Sequence, residues 1–218
     1  MDIQRLSSGT IPWHVHRRPY LAIVLEGSYE ELGDQGRCAI QAGDAVLHLP
    51  FERHGNHVSR RGVRIVNVPL SIADALRLQS MRTDDPERVV DAISRGCSVS
   101  DALAGDRPSL PALADDEADV LALSLVNGAD IEFDAFAASC NLSRRTLRRR
   151  FQHLYGTSAA KFRARARARR AWRAILTTPA PLAAIACDLG FADQAHMNRA
   201  VLALTGETPS RWRRDMSD

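Results

Sequence analysis

Two groups of side chains in this sequence have the types and spacing to do chemistry. The first is a set of imidazoles: His14 and His16 stand two apart, His54 and His57 three apart. Alternate residues of a strand share a face, so His14 and His16 can converge on one point. A third imidazole from another strand, His54, would complete a nitrogen-donor set for a divalent transition metal such as Zn, Ni, Mn or Fe. The same rings could also line a pocket that holds no metal. The second group is cationic: Ser143 to Cys187 holds twelve basic side chains and no Asp or Glu. Its apolar residues keep a helical beat, Leu147, Phe151 and Leu154, then Ala164, Ala168, Ala171 and Ile175, so the block should fold. An ordered surface of one charge sign calls for an anionic partner, and nucleic acid comes first.

The elements that must position these groups divide by charge. Residues 1–142 hold 13 basic and 21 acidic side chains and residues 143–218 hold 16 and 5, while the whole chain is only +3. At 218 residues there is room for two domains with their own cores. Cys38, Cys97, Cys140 and Cys187 are scattered without a CxxC pair, which argues for reduced thiols and against a cysteine zinc finger. The N-terminus has no apolar h-region and no run approaches the ~18 apolar residues of a membrane span, so a cytoplasmic protein with no membrane partner is expected.

Over residues 1–70 the sequence is β-branched and punctuated by Gly. Strands are expected at Tyr20 to Leu25, Ser28 to Leu32, Arg37 to Ile40, Asp44 to Leu49 and Val63 to Val68, forming a small antiparallel barrel or sandwich. Residues 71–111 read as a helical linker, with helices at Ser71 to about Met81 and Pro86 to about Arg95, and as a candidate dimerisation segment. From residue 112 the pattern is all helical. Ala118 to Val126, then Asp134 to Cys140, precede a turn at Asn141-Leu142 and a helix capped by Ser143 and closed at Gly156. After a long helix from Thr157 or Ser158 to Leu176, the short-helix, turn, helix unit repeats: Pro181 to Leu189, Gly190-Phe191, and a helix from Asp193 to Gly206. A last short helix begins at Thr208-Pro209. Two helix-turn-helix units joined by one long helix are a specific architecture.

The N-terminal text resembles the cupin superfamily. Gly9, His14, His16, Tyr20 and Gly27 follow the pattern G-x5-H-x-H-x3,4-E-x6-G one spacer residue short, with Tyr20 where the ligand Glu belongs. Gly43, Pro50 and His54 echo the second pattern, G-x5-P-x-G-x2-H, with one extra residue and Glu52 in place of Gly. The resemblance implies an effector pocket with His14, His16, Tyr20 and His54 on its walls, and a metal set of His14, His16 and His54 without its usual anionic ligand.

Residues 112–218 resemble the DNA-binding domain of AraC/XylS-type transcription regulators, on FAASCNLSRRTLRRRFQHLYGTSAAKF and LAAIACDLGFADQAHMNRAVLALTGETPSRWRR. The fold expected overall is α+β: a small cupin-like antiparallel β-barrel, then an all-α domain with two helix-turn-helix motifs joined by a long helix. The resemblance implies double-stranded DNA as partner, a small-molecule effector, RNA polymerase if the protein activates, and a homodimer. Base contacts fall to Arg145, Arg148 and Arg149 in the first motif and to Gln194, His196, Asn198 and Arg199 in the second. Ser143, Arg144, Arg150, Lys161 and Arg165 fall to phosphates. Arg suits guanine, and Gln or Asn suits adenine. Met197 and Val201 stand where the family usually has Phe, and Ala195 where it usually has Ser; the chain is also shorter than most members. The other function considered is a metal-dependent cupin enzyme, or a metal sensor, with an attached DNA-binding domain.

Overall fold

The computed structural model describes residues 1–109, 112–113 and 116–215. They divide into two compact units, residues 1–33 with 37–113, and residues 34–36 with 114–218.

The first unit is built on one antiparallel ribbon of two long strands, β3 (Tyr20–Gly33) and β6 (Arg53–Pro69). Around it lie β1 (Asp2–Leu6), β2 (Gly9–Val15), β4 (Gly36–Gln41), β5 (Asp44–His48), β7 (Met81–Arg82), β8 (Arg107–Pro108) and β9 (Ala112–Leu113), in the order β1-β6-β3-β5-β7-β8, with β2 also on β6 and β4 joining β3 to β9. The expected strands Tyr20 to Leu25 and Ser28 to Leu32 are thus one strand with a bend. Its register with β6 shifts between Val24 and Glu26 and again between Gly27 and Tyr29. Gly27 permits this with φ +78°, where a Cβ would stand 2.0 Å from the Gly62 carbonyl oxygen. Val63 to Val68 is likewise the second half of a longer strand, whose first half carries His54 and His57. The pairings form a nine-stranded antiparallel sheet and do not close it into the expected barrel among the described residues.

The run LAIVL in β3 reads as continuously apolar because both of its faces are covered. Leu21, Ile23 and Leu25 pack with Ala45, Val66 and Val68 against Val89, Ala102 and Leu103, while Val24 packs on the other face with Tyr29, Ile40, Val46, Val58 and Ile65. Val89 belongs to α2 (Pro86–Ser94), capped by Asp85 with Pro86 in its first turn, and Ala102 to α3 (Val99–Ala102). Residues 71–109 thus belong to the first unit, and apolar side chains of α2 and α3 pack on the sheet. The first of these helices, α1 (Ile72–Arg77), stops short of Met81, which enters β7 opposite Ala45 and packs on the same core. The last part of the 71–111 segment contains β8, and residues 110–111 lie outside the described residues.

The second unit contains α4 (Glu117–Val126), α5 (Phe133–Ser139), α6 (Arg144–Tyr155), α7 (Ala159–Thr177), α8 (Leu182–Asp188), α9 (Gln194–Thr205) and α10 (Pro209–Asp215). Ala118, Leu121 and Leu125 of α4, Leu147, Phe151 and Tyr155 of α6 and Phe162 of α7 form the core of its first half. Tyr155 Oη donates to the fully buried Asp119 at 2.7 Å and ties α6 to α4. Trp172 of α7 meets Trp212 of α10 edge to face at 5.8 Å in the second half. No helix among the described residues is long and apolar enough to cross a membrane.

Candidate nucleic-acid interface and effector pocket

Helices α6 and α9 are built to one plan. Each has 12 residues, an N-cap side chain accepting from the third helical amide (Ser143 from Thr146, Asp193 from His196), and a left-handed Gly at its end, Gly156 and Gly206. The turns before them also match. Asn141 (φ 54°) and Gly190 (φ 71°) take the left-handed position. The next amides, Leu142 and Phe191, donate back to Ala137 and Ala186, each at 2.9 Å. This is the bonding of a helix C-terminus that reverses the chain sharply, with an apolar residue just beyond the turn. Met197 and Val201, the smaller residues at the positions of Leu147 and Phe151, are fully buried.

Superposing the two helices on their N-caps defines the outward stripe. On α6 it is Arg145, Arg148, Arg149 and Gln152, all exposed and spaced i, i+3, i+4, i+7 opposite Leu147 and Phe151. On α9 the equivalent residues are Ala195, Asn198, Arg199 and Leu202. Gln194 is exposed beside that stripe. His196 lies off it, its ring edge-on to buried Phe191 at 5.3 Å. Asn198 is half-buried, and its amide oxygen is enclosed without a hydrogen-bond partner. Gln152 and Leu202 lie outside the sequence-based assignments; the equivalence of the two N-caps places them on the stripe.

The residues expected at phosphates divide. Ser143 is occupied as a cap and also meets Thr146 Oγ1 at 2.8 Å. Arg144 pairs with Asp134 at 2.8 Å and Arg150 with Glu117 at 2.6 Å. Lys161 is exposed on α7 and Arg165 half-buried. Other arginines of α7, which the charge run suggested for phosphate or solvent, hold the domain together. Arg170 donates to the Leu125 and Val126 carbonyls at the end of α4, at 3.1 and 2.8 Å, and Arg163 donates to the Ile131 carbonyl. Arg167 donates to the Gly190 carbonyl at 2.8 Å in the second turn, and its guanidinium lies over the Phe191 ring. On α6, Arg145, Arg148 and Arg149 are exposed and have no ion pair among the described residues.

In the first unit, strand register gathers the rings. His14 stands opposite His54 across β2 and β6, and Tyr20 opposite His48 across β3 and β5. A tight turn joins β5 to β6, with Phe51 at φ 67° and its amide donating to the His16 carbonyl at 2.9 Å, and brings His48 back over His54. His14 lies 4.8 Å from His16 and 4.4 Å from His54 between ring centroids, His48 lies 4.8 Å from His54, and Tyr20 stacks on His48 at 4.5 Å. A cavity of about 400 Å³ opens onto His14, His16, Tyr20, His48, Asn56 and Asn67. His57 is outside it, exposed, with Nδ1 3.3 Å from Thr10 Oγ1. His48 and the buried carboxyl of Glu31, which lies near it, are neighbours that sequence patterns did not supply.

Electrostatics there favour the neutral form of His16, His48 and His54. Burial first, then His54, His16 and His14, holds His48 well below the usual imidazole range. Burial, then His14 and His16, lowers His54 to about 3 against a small opposing effect of the Glu52 backbone. His16 is lowered by burial and by His14. Glu31 is raised to about 8 by burial and then by Glu52. Burial and the same two carboxyls raise the Tyr20 phenol, so it stays protonated. His14 Nδ1 lies 2.8 Å from the Pro12 carbonyl oxygen, which accepts from it. Three donors gather in two overlapping sets, His14, His16 and His54, and Glu31, His48 and His54.

Residues 136–215 match the model of a helix-turn-helix domain family. Among solved structures the chain is similar to a transcriptional regulator with an AraC-type DNA-binding domain from Chromobacterium violaceum, at 25% identity over 47% of this chain and 90% of that one, TM-score 0.41. It is also similar to the DNA-binding domain of the global transcriptional factor AdpA in complex with a target DNA, at 25% identity over 47% and 93%, TM-score 0.42. Along its whole length it is similar to ToxT from Vibrio cholerae, at 10% identity over 100% and 98%, TM-score 0.47. No curated protein sequence matches the chain. The family match, to a helix-turn-helix domain, spans both motifs.

Proposed function

We propose that the protein is a sequence-specific DNA-binding transcription regulator that reads double-stranded DNA with α6 and α9 and carries an effector pocket in its N-terminal domain. One observation carries this reading: two helices of equal length and matching caps, about 50 residues apart, each follow a short helix and a left-handed turn and present an outward stripe, polar on α6 and mixed on α9. A helix of this kind fits the major groove, and two such helices held by α7 suit successive grooves. Arg145, Arg148 and Arg149 are the base readers of α6, each able to donate two bonds to guanine O6 and N7. On α9, Arg199 and Gln194 take that role, with Ala195 and Leu202 offering apolar contact to thymine methyls. Lys161 remains a phosphate contact; Arg144 and Arg150 reach phosphate only by leaving Asp134 and Glu117.

The N-terminal cavity, with His14, His16 and Tyr20 in its wall and His54 packed against His14, is the effector site. No reaction is assigned to it. RNA polymerase is a partner in the activator form of this reading, and a second copy would pair through a surface other than the buried faces of α2 and α3.

Fluorescence anisotropy of the full chain on a cognate and a random duplex tests the base-reading role. Arg148→Ala or Arg149→Ala should cost about 1–3 kcal/mol on the cognate site, or roughly 5-fold to 150-fold, and much less on random DNA. Equal losses on both duplexes would contradict it.

A further inference from the structure

Beside the cavity, which His48 lines, lies a buried donor set that the sequence pattern did not indicate. Glu31, His48 and His54 each offer one ligand atom, all within 4.8 Å of one another and all buried. Tetrahedral bonds of about 2.0–2.1 Å put donors about 3.4 Å apart, so closure by roughly 1–1.5 Å would seat an ion. Their present contacts leave the set under-compensated. His48 Nε2 is 3.8 Å from Glu31 Oε2, too far for a hydrogen bond. No lysine or arginine among the described residues pairs with Glu31. Second-layer support is in place: with its amide turned to donate, Asn56 lies 3.2 Å from Glu31 Oε2 and 3.0 Å from the Gly55 carbonyl oxygen. Such outer partners orient ligands and tune metal sites.

We propose that the N-terminal domain binds one divalent first-row transition-metal ion through Glu31, His48 and His54, with His14 and His16 as the neutral imidazole layer above it. This rests on reading the cavity as the regulator's effector pocket, and it names the effector class. Charge chooses the inner set over the outer. His14, His16 and His54 are all neutral donors and leave a dication at its full charge inside the protein. The inner set supplies a carboxylate, and uncompensated charge in a buried site costs several kcal/mol per ion. Nitrogen and oxygen donors of this kind suit Zn²⁺, Fe²⁺, Ni²⁺ or Mn²⁺.

The test uses the full chain, purified without an affinity tag, stripped with chelator and titrated with Zn²⁺ while ring ¹⁵N shifts of the histidines are followed. The expected result is saturation at one equivalent, with His48 and His54 moving to metal-bound shifts and His14 and His16 moving less. Glu31→Gln and His48→Gln should each weaken Zn²⁺ binding at least about a hundredfold. If either variant fails to fold, the wild-type ring shifts still decide. Metal-bound shifts confined to His14, His16 and His54 would overturn the inner assignment and leave the pocket a metal site. No shift in any ring would remove both.

Discussion

Arginine content alone does not mark which cations of the basic block face DNA; their partners do. Arg149 is exposed on the outward stripe, whereas its neighbour Arg150 is bonded to Glu117 at 2.6 Å. Arg150→Ala should therefore lower cognate affinity less than Arg149→Ala, a ranking that one binding series at fixed salt can reverse. In the other domain, the sign of the Glu31 shift sets a pH test. Its folded pKa of about 8 lies above the ordinary 4.5, so the folded state holds a proton that the unfolded chain has lost, and stability falls as pH rises between those values. His16, His48 and His54 have lowered folded values, so their contribution is present above the ordinary 6.5 and is lost as pH falls below it. Of these four groups, the carboxyl is the one that acts between 6.5 and about 8. Denaturant titrations of the metal-free protein should show stability declining by about 1–2 kcal/mol across that interval, and Glu31→Gln should flatten the decline.

At the scale of the element, the long helix α7 is a scaffold whose arginines close the ends of other elements. Arg170 satisfies two terminal carbonyls of α4. Arg170→Ala should cost about 1–3 kcal/mol in thermal unfolding, with DNA affinity at full folding unchanged within about twofold. A large loss of affinity with no loss of stability would return Arg170 to the DNA surface. The helices, their caps and the left-handed turn at Asn141 were legible because each has a local signature: Ser or Asp at the start, Gly at the end, and apolar residues at helical spacing between them. Arg170, Arg163 and Arg167 were not legible, because a guanidinium reaching a carbonyl some 20 to 45 residues away leaves no pattern in the sequence. The strands show the same contrast. His14, His16 and Tyr20 were found from a local motif, but Glu31 and His48 join them only through the pairing of β2, β3, β5 and β6, which is a property of register. The bend at Gly27 read as a strand break for the same reason, since a bulge and a loop both place Gly after an apolar run.

For the whole molecule, a net charge of +3 conceals an acidic N-terminal part and a cationic C-terminal domain, and DNA affinity should follow the second alone. If about 6–10 phosphates are neutralised, affinity should fall on the order of 10³–10⁵ between 50 and 200 mM salt. A shallow salt slope would point to a smaller contact surface than two helices. The central claim is that α6 and α9 each read a separate segment of one site, and selection of bound sequences from random double-stranded DNA by the full chain tests it most directly. The account predicts a site with two conserved elements spaced by one helical turn, about 10–10.5 bp, with guanines in the element that Arg148→Ala erases while the other element persists. Recovery of no enriched sequence, or of a single element unaffected by Arg148→Ala, would contradict it.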